Sequence, residues 1–227
     1  MNIEPIAKIE TDFPTKFGLP RQSGIVKELY GRIVFEKKYR SPDAIRGLED
    51  FSHIWVIWGF SENTGREYSP TVRPPKLGGN KRMGVFATRS PFRPNGLGLS
   101  CLKLEKIEFS DSCGYTLTVS GADMVDGTPI YDIKPYLAFT DSIADAKGGF
   151  TENLSPYELC VTVDTELPES FPKEKADTLL RILAEDPRPS YIDDGDRIYG
   201  FFFCGHEIRF KVKDKNLTVI SVEKRIL

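Results

Sequence analysis

The chain has 227 residues, 40% of them apolar, and a formal net charge of −2, which is the profile of an ordinary globular protein with room for a large and a small domain. Near-neutral charge excludes a generic polyanion binder, and the longest apolar run, His53-Ile-Trp-Val-Ile-Trp-Gly-Phe60, is far too short to span a bilayer. Cys101, Cys113, Cys160 and Cys204 show no CxxC spacing and have only His53 and His206 to assist them, so reduced, buried thiols are expected, with neither a disulfide framework nor a metal site.

In chain order, Met1-Asn-Ile-Glu-Pro carries no basic-then-apolar leader, and a cytoplasmic location is expected. Period-two alternation predicts strands over residues 3–10, 32–36, 53–60, 83–87, 99–107 and 115–120, with 110–114 as a hairpin loop. Ser41 as N-cap and Pro42 at the first helical position predict a short helix through residue 48. His53, opening an apolar strand, reads as a hydrogen-bonded core histidine. Several short strands joined by turns imply an antiparallel barrel or sandwich. Residues 143–156 read as a linker between domains at 1–142 and 157–227. Beyond the linker a strand is predicted at 158–164. A helix follows over 173–185 with Ala176, Leu179, Leu180 and Leu183 on one face, then strands at 199–203, 208–212 and 217–222. The fold class is therefore mainly β, with a small α+β C-terminal domain.

Charge is unevenly spread. From Arg66 to Arg93 there are seven basic residues (Arg66, Arg73, Lys76, Lys81, Arg82, Arg89, Arg93) against the single acid Glu67, whereas residues 141–196 hold five basic and fourteen acidic ones. A local positive stretch on an acidic protein suits a polyanion docked in one orientation; a solvated basic loop is the plainer alternative.

Two runs crowd prolines and glycines around charged side chains: Arg89-Ser-Pro-Phe-Arg-Pro-Asn-Gly-Leu-Gly98 and Asp123-Met-Val-Asp-Gly-Thr-Pro-Ile-Tyr-Asp-Ile-Lys-Pro-Tyr136. Rigid turns of this kind present charges in a fixed shape. Rossmann and P-loop glycine spacings are absent, and no Ser-His-Asp or Cys-His arrangement stands out, so a common nucleotide-binding fold is not expected and acyl-transfer hydrolysis is disfavoured. Arginines, carboxylates, amides and tyrosines remain, a set suited to positioning and electrostatics.

These residues resemble the TrmO (TsaA-like) tRNA methyltransferases, through Pro20-Arg-Gln22, Thr71-Val-Arg-Pro-Pro75, residues 84–95, residues 123–136 and Asp186-Pro-Arg-Pro189 with Tyr191. The resemblance implies an antiparallel β-barrel that binds S-adenosylmethionine, usually in a homodimer, and that methylates N6 of threonylcarbamoyladenosine, the purine 3′ of the anticodon in the tRNA anticodon loop. Carried over by position, the cofactor contacts are Pro20, Arg21, Gln22, Ser61, Glu62, Arg89, Leu99, Asp123, Met124, Val125 and Asp126. At Ser61 and Glu62 the chain departs from the family's His followed by Gln or Arg, which puts those two in doubt.

Carboxylates suit a sulfonium cation and ribose hydroxyls, and Met124 and Val125 suit an adenine face; turn capping before Gly127 is the structural alternative for Asp123 and Asp126. Asp126, Asp132 and Tyr136 are candidate catalytic acceptors for the N6 proton, with an Asp132 ion pair to Lys134 or Arg93 as the alternative. Arg93, Lys134, Asp186, Arg188 and Tyr191 are the candidate substrate contacts, with guanidinium suited to phosphate or the threonyl carboxylate. The competing function class is a non-catalytic β-barrel sensor or adaptor for S-adenosylmethionine or another nucleotide.

Overall fold

The computed structural model describes residues 2–61, 67–74, 77, 81–152, 158–188 and 194–225. Six antiparallel strands, β1 (Ala7–Thr11), β2 (Tyr30–Phe35), β3 (His53–Gly59), β6 (Leu97–Ser110), β7 (Gly114–Ser120) and β8 (Pro129–Pro135), close into a barrel in the order β1-β2-β7-β6-β3-β8. Closure is made by Ala7 of β1 opposite Ile130 of β8. Alternation explains the filling: Ala7, Ile9, Ile33, Ile54, Val56, Trp58, Leu102, Leu117, Val119 and Ile130 all point inward and are buried. Gly98 faces this interior because a Cβ there would lie 2.3 Å from the Trp58 ring. Two short strands, β4 (Thr71–Val72) and β5 (Met83–Gly84), pair outside the barrel.

The second sheet has the order β10-β11-β12-β9, from β10 (Tyr199–Phe203), β11 (His206–Lys213), β12 (Asn216–Lys224) and β9 (Cys160–Val163). β9 runs parallel to β12, and helix α2 (Ala176–Ala184) covers one face through Leu179, Ile182 and Leu183. This core is not made by the C-terminal half alone, since Phe13, Val26 and Leu29 from the β1–β2 connection belong to it. Gly18 in that connection has φ 92°, and a Cβ there would meet the Phe201 ring at 2.4 Å. Glycine thus lets the connection lie flat on the second sheet and carry Pro20-Arg21-Gln22 to the junction with the barrel.

Several expectations are corrected. Residues 83–87 do not continue as a strand: after Gly84 the chain makes a 3₁₀ turn over Val85–Ala87, and the Thr88 N–H and hydroxyl both donate to the Val85 carbonyl (3.1 and 2.9 Å). The helix expected from Ser41 is two 3₁₀ turns, Pro42–Ala44 and Leu48–Asp50, divided by Gly47 at φ 83°; Ser41 does cap the first, accepting from the Asp43 N–H. α2 buries Thr178, Leu179, Ile182 and Leu183, so the apolar stripe is rotated and Leu180 is exposed. β8 has no counterpart among the expected strands, and a four-residue helix α1 (Ala138–Asp141) precedes the linker region. All four cysteines are free, but none is buried, and Cys160 is exposed. His53 lies half-exposed on the outer barrel face, with Nδ1 beside the Ser52 hydroxyl at 2.9 Å; the buried histidine is His206.

Candidate active site

At one end of the barrel three distant segments converge. Asp123 follows β7, Arg89 lies in the Pro-rich turn, and Gln22 comes from the β1–β2 connection. Arg89 Nη1 donates to Gln22 Oε1 at 2.6 Å, and Gln22 Nε2 donates to the Arg21 carbonyl. Asp123 is held from within: the Trp58 indole N–H donates to Ser100 Oγ at 2.9 Å, and Ser100 Oγ donates to Asp123 Oδ1 at 2.7 Å. Burial keeps the Asp123 carboxyl above the usual carboxylate range, opposed by hydrogen bonds from Ser100 and from its own and the Ser23 backbone N–H, and by the positive charge of Arg89. A partly buried carboxylate with a fixed hydroxyl behind it and a guanidinium beside it is pre-set to meet a cation or a sugar hydroxyl.

The second sheet is tied to the same place. Arg21 Nη2 donates to the Arg188 carbonyl at 3.0 Å, and the Arg188 guanidinium forks onto Asp186, Nε to Oδ1 at 2.9 Å and Nη2 to Oδ2 at 3.0 Å. Arg188 is 8% exposed, so its guanidinium is committed to that turn. Pro20, which precedes Arg21 and Gln22 in the run that reaches this junction, is buried.

The other singled-out residues are not members of this hydrogen-bonded cluster. The Met124 side chain is 1% exposed within the barrel core, and its carbonyl accepts from the Thr11 hydroxyl at 3.1 Å. Val125 is half-buried, and its carbonyl accepts from Thr128 Oγ1 at 2.6 Å. Asp126 is exposed and accepts the Thr11 N–H at 2.9 Å, while its own N–H donates to the Phe13 carbonyl, so it ties the turn to β1. Leu99 and Asp132 flank Ile57 in register across the outer face of β6, β3 and β8. There Leu99 is exposed, and Asp132 pairs with Lys134 at 2.9 Å. Tyr136 packs its ring near His53 and Trp55. Arg93 turns back on its own loop, donating to the Thr88 carbonyl at 2.6 Å and the Val85 carbonyl at 3.4 Å. Ser61 is exposed, and Glu62 and Tyr191 lie outside the described residues. Among the described residues no group of three or more His, Cys, Asp or Glu is placed to hold a metal ion, and no helix is long and apolar enough to cross a membrane.

Sequence reasoning missed Trp58 and Ser100. The signal for Ser100 was available: it is the one hydroxyl in the inward row Gly98, Ser100, Leu102 at the start of β6.

A closed antiparallel barrel with this cluster at one end, joined through Arg21 and Arg188 to a small mixed sheet, defines a two-part barrel protein with charged and amide side chains gathered at the junction. The chain belongs to the tRNA-methyltransferase O family: the family's N-terminal domain matches residues 8–142 and its C-terminal domain residues 160–225. It is 38% identical to a tRNA (adenine(37)-N6)-methyltransferase of Escherichia coli (strain K12), over 98% of this chain and 97% of that one. A probable S-adenosyl-L-methionine-binding protein of Methanothermobacter thermautotrophicus is 36% identical over 63% of this chain and 95% of its own length. The crystal structure of TrmO from Pseudomonas aeruginosa superposes with a TM-score of 0.76 at 28% identity, covering 98% of each chain.

Proposed function

We propose that this protein transfers the methyl group of S-adenosylmethionine to N6 of threonylcarbamoyladenosine, immediately 3′ of the anticodon, in tRNA. The observation that carries this reading is the convergence of Gln22, Arg89 and Asp123 in a chain that matches a tRNA (adenine(37)-N6)-methyltransferase nearly end to end. Those relatives set aside a non-catalytic sensor.

The donor set fits the cofactor. Asp123 offers a carboxylate for a sulfonium or a ribose hydroxyl, and Arg21, Gln22 and Arg89 offer guanidinium and amide groups for a carboxylate and hydroxyls. When bound, S-adenosylmethionine supplies an electrophilic methyl carbon on sulfur. The work of the chain is to orient the purine nitrogen in line with that carbon and keep water out.

N6 is conjugated to the purine and to a carbamoyl carbonyl, so it attacks well only as its proton leaves. We assign that proton to Asp132. Its Lys134 partner is exchangeable on an open face, whereas Asp126 is engaged by the Thr11 backbone and Tyr136 is packed between two rings. The protein works in the cytoplasm as a homodimer in this reading. The outer-face side chains Leu99, Phe139 and Ile143, 53%, 88% and 66% exposed, support a second copy, and the Trp55 indole, donating to Asp141 at 2.8 Å, holds α1 firm beneath Phe139.

The test is methylation of tRNA carrying threonylcarbamoyladenosine beside the same tRNA with plain adenosine, read by nucleoside mass spectrometry. Turnover is expected only on the modified tRNA, with Asp132→Asn lowering kcat and sparing cofactor affinity; equal turnover on both would leave a general adenosine methyltransferase.

A further inference from the structure

Phe86 sits in the motif that supplies Arg89, yet none of the roles above uses it. Its ring is 72% exposed, although it follows Val85, which is 1% exposed. The 3₁₀ turn that displays it is fixed from several sides. The Val85 N–H donates to the Pro70 carbonyl at 3.0 Å, the Val85 carbonyl collects the Thr88 N–H and hydroxyl, and Arg93 clamps the Thr88 carbonyl. The Arg93 guanidinium carbon lies 5.9 Å from the centre of the Phe86 ring. An aromatic ring is thus held rigidly in water with a cation packed against it.

The surroundings select the occupant. Arg73, Lys81, Arg82 and Arg89 are exposed nearby in the chain, with Arg82 anchored to Thr71 Oγ1 at 3.1 Å on the β4–β5 pair that leads into this turn. The other highly exposed phenylalanines sit differently. Phe109 packs on Tyr115, and Phe139 is in the turn held through Asp141. A flat apolar face among cations matches an unpaired nucleobase with its phosphates, because stacking takes the ring and the cations take the backbone.

We propose that Phe86, backed by Arg93, is a stacking platform for an unpaired base of the substrate tRNA next to the methylated purine. This rests on the methyltransferase reading above. Arg93 then serves RNA indirectly, by fixing the turn and polarising the ring, instead of gripping a phosphate.

The experiment measures KM for tRNA carrying threonylcarbamoyladenosine, and the calorimetric Kd for S-adenosylmethionine, in Phe86→Ala, Phe86→Leu and Phe86→Tyr. Alanine and leucine are each expected to raise the tRNA KM roughly tenfold, the scale of one base left unstacked, while tyrosine keeps it. Cofactor Kd stays unchanged in all three. Leucine matching wild type would mean a plain apolar contact and would overturn the platform. So would an alanine variant equal to an active wild type, or one whose main change is in oligomeric mass, which would make the ring a protein contact. Wild-type protein that methylates no tRNA would instead overturn the methyltransferase reading, and this proposal with it.

Discussion

Arg21 and Arg188 are joined side chain to backbone at 3.0 Å, so the β1–β2 connection of the barrel rests on the turn that follows α2. That turn is held by the forked Asp186–Arg188 pair, whose side chains are 18% and 9% exposed. Asp186→Ala takes the forked carboxylate away from a nearly buried guanidinium, and breaking a buried ion pair typically costs about 3–5 kcal/mol. Urea unfolding is expected to record a loss of that order, together with weaker S-adenosylmethionine binding as Arg21 loses its seat. Replacing both members, Asp186→Ala with Arg188→Met, is expected to cost less than the single change. A single variant with wild-type stability would show that the pair holds nothing.

Asp123 gives a pH signature. Its folded-state carboxyl titrates above the ordinary value because it is buried, so the folded protein holds that proton more tightly than the unfolded chain does. This contribution to stability is complete below the unfolded pKa of about 4 and is lost as pH rises through the folded value. Asp123→Asn is expected to flatten that part of the stability profile. Cofactor binding should run the other way, strengthening in wild type as the carboxylate ionises and losing this dependence in the variant. Calorimetry across the acid range checks both; identical profiles would remove Asp123 from the site.

Gly98→Ala tests the backing of Asp123 without touching it. The added methyl would lie 2.3 Å from the Trp58 ring, whose N–H feeds Ser100. Overpacking of this kind costs about 1–3 kcal/mol, and displacement of the indole breaks the relay to Asp123. A lower Tm accompanied by weaker cofactor binding is expected. A lower Tm with unchanged affinity would confine Trp58 to packing.

Lys81→Glu combined with Arg82→Glu reverses two exposed cations on the loop leading to β5. If they meet tRNA phosphates, affinity falls and the slope of log K against log salt flattens by roughly 0.9 for each phosphate no longer neutralised. Filter binding at several salt concentrations checks this, and an unaltered slope would make them ordinary solvated charges.

Much of the barrel was legible because its strands alternate apolar and polar residues, as in Leu102-Lys-Leu-Glu and Thr116-Leu-Thr-Val. β8 was not, since its outer positions carry Asp132 and Lys134 and prolines stand at both ends, which looks like a loop when the partner strands are unknown. The site was legible as a set of segments but not as an assembly. Sequence marks Arg93 and Arg188 as cations, yet both turn inward, to carbonyls in one case and to Asp186 in the other. Met124 shows the same limit, because its apolar side chain fits an adenine face as well as the barrel interior it actually fills. Direction is decided by partners far away in the chain, and periodicity carries no information about them.

β8 pairs with both β1 and β3, so the last barrel strand to be synthesised is also the one that joins the first. The partners Ala7 and Ile130 are distant in sequence, and such closure is a late, slow event in folding. Asp123 lies on the segment leading into that strand. If Asp123 holds the methyl donor as proposed, a nascent chain lacks that site until β8 has left the ribosome and docked, and any fragment ending before Pro129 is expected to be inert toward the cofactor however well its earlier strands pair.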